Sequence, residues 1–205
     1  MKNNKKSLFF IISGVLCIVL ALSIFIYNKI TAEKAFKDSQ ITVHFLTELV
    51  IKDNNNDKNP FPNDNYDRKM PEVSIDGKPY IGVLEIKDLE LKLPISAELS
   101  YEVLDISPCL YSGSIYRKNM VIAAHNFEKH FGKIDDLPLS SEIVFTDIES
   151  NKYVFEVVNI ESLSAEQVDE MKNKSDKNNW DMTLFTCDYS GNRRIAVRCK
   201  MTKIE

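Results

Sequence analysis

A chain of 205 residues has room for one ordinary domain and some length beyond it. Its 26 Lys and Arg against 30 Asp and Glu give a net charge of −4, with no basic stripe, which excludes a nucleic-acid footprint. The four cysteines make no disulfide framework, and His44, His125 and His130 lie at no metal-ligand spacing from any of them.

Residues 8–27 are uncharged and apolar apart from Ser13, Gly14 and Ser23. Twenty helical residues at about 1.5 Å each reach about 30 Å, the thickness of a bilayer core. Lys2, Lys5 and Lys6 precede them, so the positive-inside rule sets the N-terminus in the cytoplasm and the rest outside. A cleaved signal peptide has a shorter apolar region, about 7–15 residues, followed by a small-x-small site, and neither fits here. Bulky Leu16 before Cys17 argues against a lipoprotein signal. The expectation is an uncleaved anchor over residues 1–28.

Residues 29–52 mix charge with apolar positions and read as a loosely amphipathic helix, weakened by β-branched Ile41-Thr42-Val43. His44 within it reads as a packing or surface residue. Residues 53–71, with Asn54-Asn55-Asn56, Pro60, Pro62 and Pro71, cannot bury enough apolar surface to offset the entropy of ordering and read as a linker. Asn59-Pro60-Phe61-Pro62 is a weak match to a lid over an active site. Residues 29–78 are thus assigned to a juxtamembrane segment and polar linker.

From Pro79 the pattern is that of a β protein. Residues 81–86 and 89–95 read as two strands around a turn at Asp88, the second alternating strictly between buried and solvated faces. A short helix is predicted over 96–104, and strands over 120–124, 142–146 and 152–163. Ser164 and Glu166 mark a helix start, and a hairpin of 180–186 and 193–201 ends the chain. Seven or eight short strands with few helices predict a closed β-barrel over 79–205.

Thr183-Leu184-Phe185-Thr186-Cys187 ends a predicted strand on a thiol, and seven residues later Arg194 opens the run Arg194-Ile195-Ala196-Val197. A hairpin lets the two meet. Upstream, Val121-Ile122-Ala123-Ala124 leads into His125. Together these supply a nucleophile, a proton-transfer partner and a cation for a developing oxyanion, which reads as cysteine-based acyl transfer. Near neutral pH an unassisted cysteine is mostly thiol, and a neighbouring cation favours the reactive thiolate. Without its flanking motif Cys187 would read as a buried structural cysteine, as Cys109 and Cys199 do. His130 competes with His125, and Arg193 with Arg194. Consecutive strand residues face opposite ways, so one arginine of the two faces the cleft. Thr186 reads as a strand residue and Asp188 as a turn residue.

Three blocks, Ala124-His125-Asn126, Thr183 to Cys187 and Arg194 to Val197, resemble those of the sortases, membrane-anchored cysteine transpeptidases of Gram-positive bacteria. The similarity covers roughly residues 80–205, in the family's order and behind an N-terminal anchor. One position departs, Ala124 standing where many members have Gly. The resemblance implies a mainly β, closed seven- or eight-stranded sortase-type barrel with short helices, and it favours His125, Cys187 and Arg194 as the catalytic set. It implies cleavage of a Leu-Pro-x-Thr-Gly-like sorting signal in secreted proteins between Thr and Gly, through a thioester on Cys187. The acyl group then passes to an amine of the cell wall or of a pilin. No cofactor is implied; many members bind calcium in a loop, and no acidic cluster here is assignable to it.

Two other readings use the same residues: a hydrolytic extracellular cysteine protease, and a non-catalytic membrane-anchored binding domain. An L,D-transpeptidase is set aside, because its histidine directly precedes the cysteine and Thr186 holds that position here.

Overall fold

The computed structural model describes residues 3–52, 67–164, 166–172 and 180–205. The chain divides into two compact units, Met1–Lys34 and Ala35–Glu205. A single helix, α1 (Asn3–Lys52), contributes to both. In the first unit every large apolar side chain from Leu8 to Tyr27 is exposed, and α1 is long and apolar enough to cross a membrane.

The second unit is a mixed β-barrel. Its strands are β1 (Val73–Ile75), β2 (Lys78–Ile86), β3 (Leu91–Ser96), β4 (Cys109–Ser112), β5 (Met120–Ala123), β6 (Glu142–Asp147), β7 (Lys152–Ser164), β8 (Met182–Cys187) and β9 (Arg193–Ile204). They are ordered β1-β2-β3-β4-β5-β8-β9-β7-β6, and β6 pairs back onto β2. That closure makes an eight-stranded barrel, with β1 as an added strand on β2. The pairs β3–β4 and β5–β8 are parallel and the others antiparallel. Alternate residues fill the interior: Leu84, Leu93, Ile122, Phe145, Phe155, Leu184 and Val197 belong to one buried cluster. At β2, Gly82 lies so close to β6 that a Cβ would stand 2.1 Å from the Thr146 carbonyl oxygen, so closure needs a residue without a side chain.

Several boundaries differ from the sequence expectation for local reasons. The turn expected at Asp88 is a 3₁₀ segment, Lys87–Leu89, ended by Glu90 in the left-handed region at φ 53°, which delays β3 to Leu91. The short helix, α2 (Tyr101–Leu104), starts later than residue 96 because Ser100 caps it, its hydroxyl accepting the Val103 N–H. The helix signalled at Ser164 is α3 (Val168–Lys172).

From Ala35 onward α1 packs against the barrel. Ala35, Ser39, Thr42, Val43 and Leu46 form its buried face at helical spacing. Val43 and Leu46 cluster with Tyr80 and Val83, and Gln40 donates to the Lys92 carbonyl at 2.8 Å. Two hydroxyl residues on that face explain the loose amphipathic pattern. Met70 is buried in the barrel core. The expected domain start at residue 79 therefore lies downstream of chain that packs on the barrel. Residues 53–66 of the expected linker, including Asn59-Pro60-Phe61-Pro62, lie outside the described residues, as does the polar run 173–179.

Candidate active site

Three neighbouring strands build the site through their register. On the outer face of β5, β8 and β9, Val121, Thr183 and Arg198 stand level, and next to them Ala123, Phe185 and Ala196. Their neighbours in sequence, such as Ile122, Leu184 and Val197, point into the core. The next row on the same face holds Cys187, paired directly with Arg194. His125 follows the end of β5 by two residues and comes to the same cavity as Cys187. The Ala124 N–H bonded to the Phe185 carbonyl at 3.2 Å carries the ladder on in that direction. Thr186 secures it, its hydroxyl donating to the Ala124 carbonyl at 2.9 Å.

His125, Cys187 and Arg194 line one cavity of about 390 Å³. Its apolar wall is made by Leu104, Tyr111, Met171 and Phe185, with Leu99 and Tyr101 exposed beside them. Tyr111 and Phe185 meet edge to face at 5.1 Å between ring centres. This mixture, an apolar groove with a few convergent polar groups, is the usual form of a small-ligand or peptide site.

The two arginines at the head of β9 separate cleanly. Arg193 is exposed and turned to β7, where its Nε donates to the Ser162 hydroxyl and its Nη2 to the Ser162 carbonyl, both at 2.6 Å. Arg194 faces the cleft, and its Nη1 donates to the carbonyls of Gly191 at 3.0 Å and Arg193 at 3.1 Å. Its Nε and Nη2 have no hydrogen-bond partner among the described residues. Asp188 organises the intervening turn, accepting the Ser190 hydroxyl and the Arg193 N–H.

The loop after His125 is tightly wound. Phe131 donates its N–H to the His125 carbonyl at 3.1 Å, and a Cβ on Gly132 would stand 2.6 Å from the Asn126 carbonyl oxygen. Two bonds join this loop to the one after Cys187: Asn126 Nδ2 to the Asp188 carbonyl, and the Tyr189 hydroxyl to the Gly132 carbonyl. His130 is carried inward and is 1% exposed, with neither ring nitrogen hydrogen-bonded among the described residues. Burial, reinforced by the nearby His125, pulls its pKa down to about 4. It does not line the cleft.

Asp105, which the sequence reading passed over, lies 3.1 Å from His125 Nε2 through its Oδ1. It follows α2 directly, twenty residues before His125, and belongs to no motif. The sequence signal for it is the predicted helix end itself.

The four cysteines are free thiols. Cys109 and Cys199 are fully buried, and burial pushes the Cys109 thiol up to about 12 and the Cys199 thiol higher still. Both are thereby kept protonated and inert. Cys187 is partly exposed in the cleft. Among the described residues no group of three or more His, Cys, Asp or Glu could hold a metal ion, so they offer no fit to calcium.

A family model described as Sortase domain matches residues 84–202. Comparison with curated proteins gives no match. Sortase A from Corynebacterium diphtheriae superposes with a TM-score of 0.55 at 21% identity, over 62% of this chain and 63% of that one. Sortase C-3 from Streptococcus pneumoniae gives 0.55 at 20% identity over 84% and 85%. Sortase E1 from Streptomyces coelicolor, solved with a tripeptide in its active site, gives 0.55 at 20% identity over 62% and 90%. This chain thus spans less than two thirds of the corynebacterial protein. At such identities the solved structures speak for a shared fold. The family model reaches over more than half of the 205 residues, and on that ground the chain belongs to the sortase family.

Proposed function

We propose that this protein is a cysteine transpeptidase that cleaves a Leu-Pro-x-Thr-Gly-like sorting signal and transfers the acyl part to an amine of the cell wall or of a pilin. The observation that carries the reading is the shared cavity of His125, Cys187 and Arg194, with Cys187 and Arg194 in direct register. The Cys187 thiolate attacks the scissile carbonyl carbon. The carbonyl oxygen becomes an oxyanion that accepts hydrogen bonds from the uncommitted donors of Arg194. His125 gives its proton to the leaving amine as the C–N bond breaks, leaving a thioester on Cys187. An acceptor amine then attacks the thioester, its proton passes to His125, and the Cys187 sulfur is released. No step calls for a metal or a cofactor.

The apolar walls suit the leading apolar residues of such a peptide, and a tripeptide occupies the active site of the Streptomyces coelicolor protein. Residues 1–28 act as a single-pass anchor with a cytoplasmic N-terminus, and the barrel, with the parts of 29–78 that pack on it, forms the catalytic domain outside the cell membrane. The hydrolytic alternative uses the same groups with water as acceptor.

The test is incubation with a library of sorting pentapeptides, with and without an added amine, followed by mass spectrometry. A thioester on Cys187 and an amine-dependent product are expected. Cys187→Ala should abolish both while leaving the fold unchanged. Turnover retained in a pure Cys187→Ala sample would remove the central claim, and an acid product formed regardless of amine would favour hydrolysis.

A further inference from the structure

We propose that Asp105 is a positioning residue for His125, and that it fixes which imidazole nitrogen handles the proton. The inference rests on the transpeptidase reading above and adds a fourth group to it. Asp105 Oδ1 stands 3.1 Å from His125 Nε2, within the range of a charge-assisted hydrogen bond. An imidazole whose Nε2–H donates to a carboxylate keeps Nδ1 as the nitrogen able to exchange a proton. His125 lines the cavity with Cys187, so Nδ1 is the nitrogen left to serve that cavity.

The carboxylate is held by backbone, not by chance. Asp105 closes α2, and its N–H donates to the Tyr101 carbonyl at 3.1 Å. At the other end Ser100 caps the helix, and buried Val103 pins it to the domain. Tyr101 and Leu104 of the same helix line the cavity. One element therefore supplies both part of the substrate wall and the partner of His125. His130, the other histidine of the loop, is buried away from the cleft and does not substitute.

The proton steps balance through this arrangement. In the first half-reaction the imidazolium gives the Nδ1 proton to the leaving amine while its Nε2–H stays on Asp105. In the second, Nδ1 takes a proton from the acceptor amine and the imidazolium is restored. In neither step does a proton pass to or from Asp105. Its side chain is 65% exposed, so the pair contributes little to stability. Its effect lies in orientation, and the same exposure lets a small carboxylate from solution reach the vacated place.

The experiment uses the full chain in detergent micelles, with the fastest Leu-Pro-x-Thr-Gly pentapeptide of the library and triglycine as acceptor. For Asp105→Ala a fall of about tenfold in kcat is expected, smaller than the 10²–10⁴-fold supplied by general acid–base catalysis as a whole. KM should change by less than about twofold, because the apolar wall is untouched. Added formate should restore most of the lost rate in Asp105→Ala, and none in His125→Ala. Asp105→Glu should retain more activity than Asp105→Ala. An Asp105→Ala enzyme with wild-type kcat, or one whose loss formate leaves unchanged, would overturn the inference. If wild type forms the Cys187 thioester and Asp105→Ala matches it in rate, this inference alone falls. If wild type forms no thioester on Cys187, the transpeptidase reading falls with it.

Discussion

Arg194 and Arg198 stand four residues apart on the same face of β9, and their surroundings differ in what is left for a newcomer to bind. Arg198 is 1% exposed. Its Nε meets Glu161 at 2.6 Å, its Nη1 the Thr183 hydroxyl at 2.9 Å and its Nη2 the Glu170 carbonyl at 3.0 Å. The guanidinium lies 4.2 Å from the centre of the Trp180 ring. All of its nitrogens are engaged, and the result is a clamp that fastens α3, and so the Met171 wall of the cleft, to the barrel. Among the described residues Arg194 bonds only the backbone of its own turn, which leaves Nε and Nη2 uncommitted at the cavity. A guanidinium fully satisfied by its own protein serves the fold. One partly satisfied beside a thiol is placed to serve a substrate.

The contrast is broken most directly at the clamp. Arg198→Met leaves the half-buried Glu161 and the Glu170 carbonyl without this partner, and removing one side of such hydrogen bonds costs about 1–3 kcal/mol. Urea unfolding should show that loss, while the folded fraction should keep most of its Cys187 chemistry. A variant as stable as wild type but inactive would reverse the roles given to the two arginines.

Arg194→Lys should behave in the opposite way. An ammonium lacks the planar fork that aims two donors at one oxygen, and loss of an oxyanion donor costs about 10²–10³ in kcat. Stability should fall by no more than about 1 kcal/mol, because half-buried Arg194 bonds only carbonyls of its own turn among the described residues. Arg193→Ala, which touches Ser162 instead, should lose much less activity. A larger rate loss at Arg193 would move the oxyanion role to it.

His130 sharpens the comparison from a third side, as a buried polar group with no hydrogen-bond partner among the described residues. In the unfolded chain it titrates near its ordinary value of about 6.5, whereas in the fold burial holds it to about 4. Between those values the unfolded state binds more protons, so stability rises with pH there. This contribution is fully present above about pH 6.5 and is lost as pH falls towards 4, by at most about 3 kcal/mol. Replacing His130 with Leu should flatten the unfolding free energy measured across that window. An unchanged acid dependence in His130→Leu would show that other groups set it.

Much of this was open to reading in the sequence, and the gaps have physical causes. Strands β2, β3, β6 and β7 carry apolar or alternating runs, the short β5 is apolar throughout and leads into His125, and the closing hairpin carries the Cys and Arg motifs. By contrast β4 has four residues, Cys109–Ser112, too few to show a period. The three residues of β1 hang on Asp76-Gly77, both at positive φ, a two-residue hairpin turn hidden among the polar residues of the expected linker. The helix over 29–52 was legible, but its docking on the barrel was not, because Ser39 and Thr42 sit on its buried face. At the site, residues 194, 196 and 198 share the outer face with Phe185 and Cys187. Asp105 could not be found this way, since only the folded path of α2 brings it to His125.

The pairing of Cys187 with Arg194 has a consequence for how this sequence can change over time. Spacing between the two is inherited from strand pairing, at about 5 Å per strand, and owes nothing to the lengths of the connections. Insertions in the segment between β7 and β8, or in the turn between β8 and β9, leave that spacing alone. One residue added between Phe185 and Cys187 would turn the thiol to the barrel interior. Two would return it to the outer face about 7 Å out of line. Diversification is therefore channelled into the connecting loops, while the few strand residues that line the cleft are locked to a reading frame.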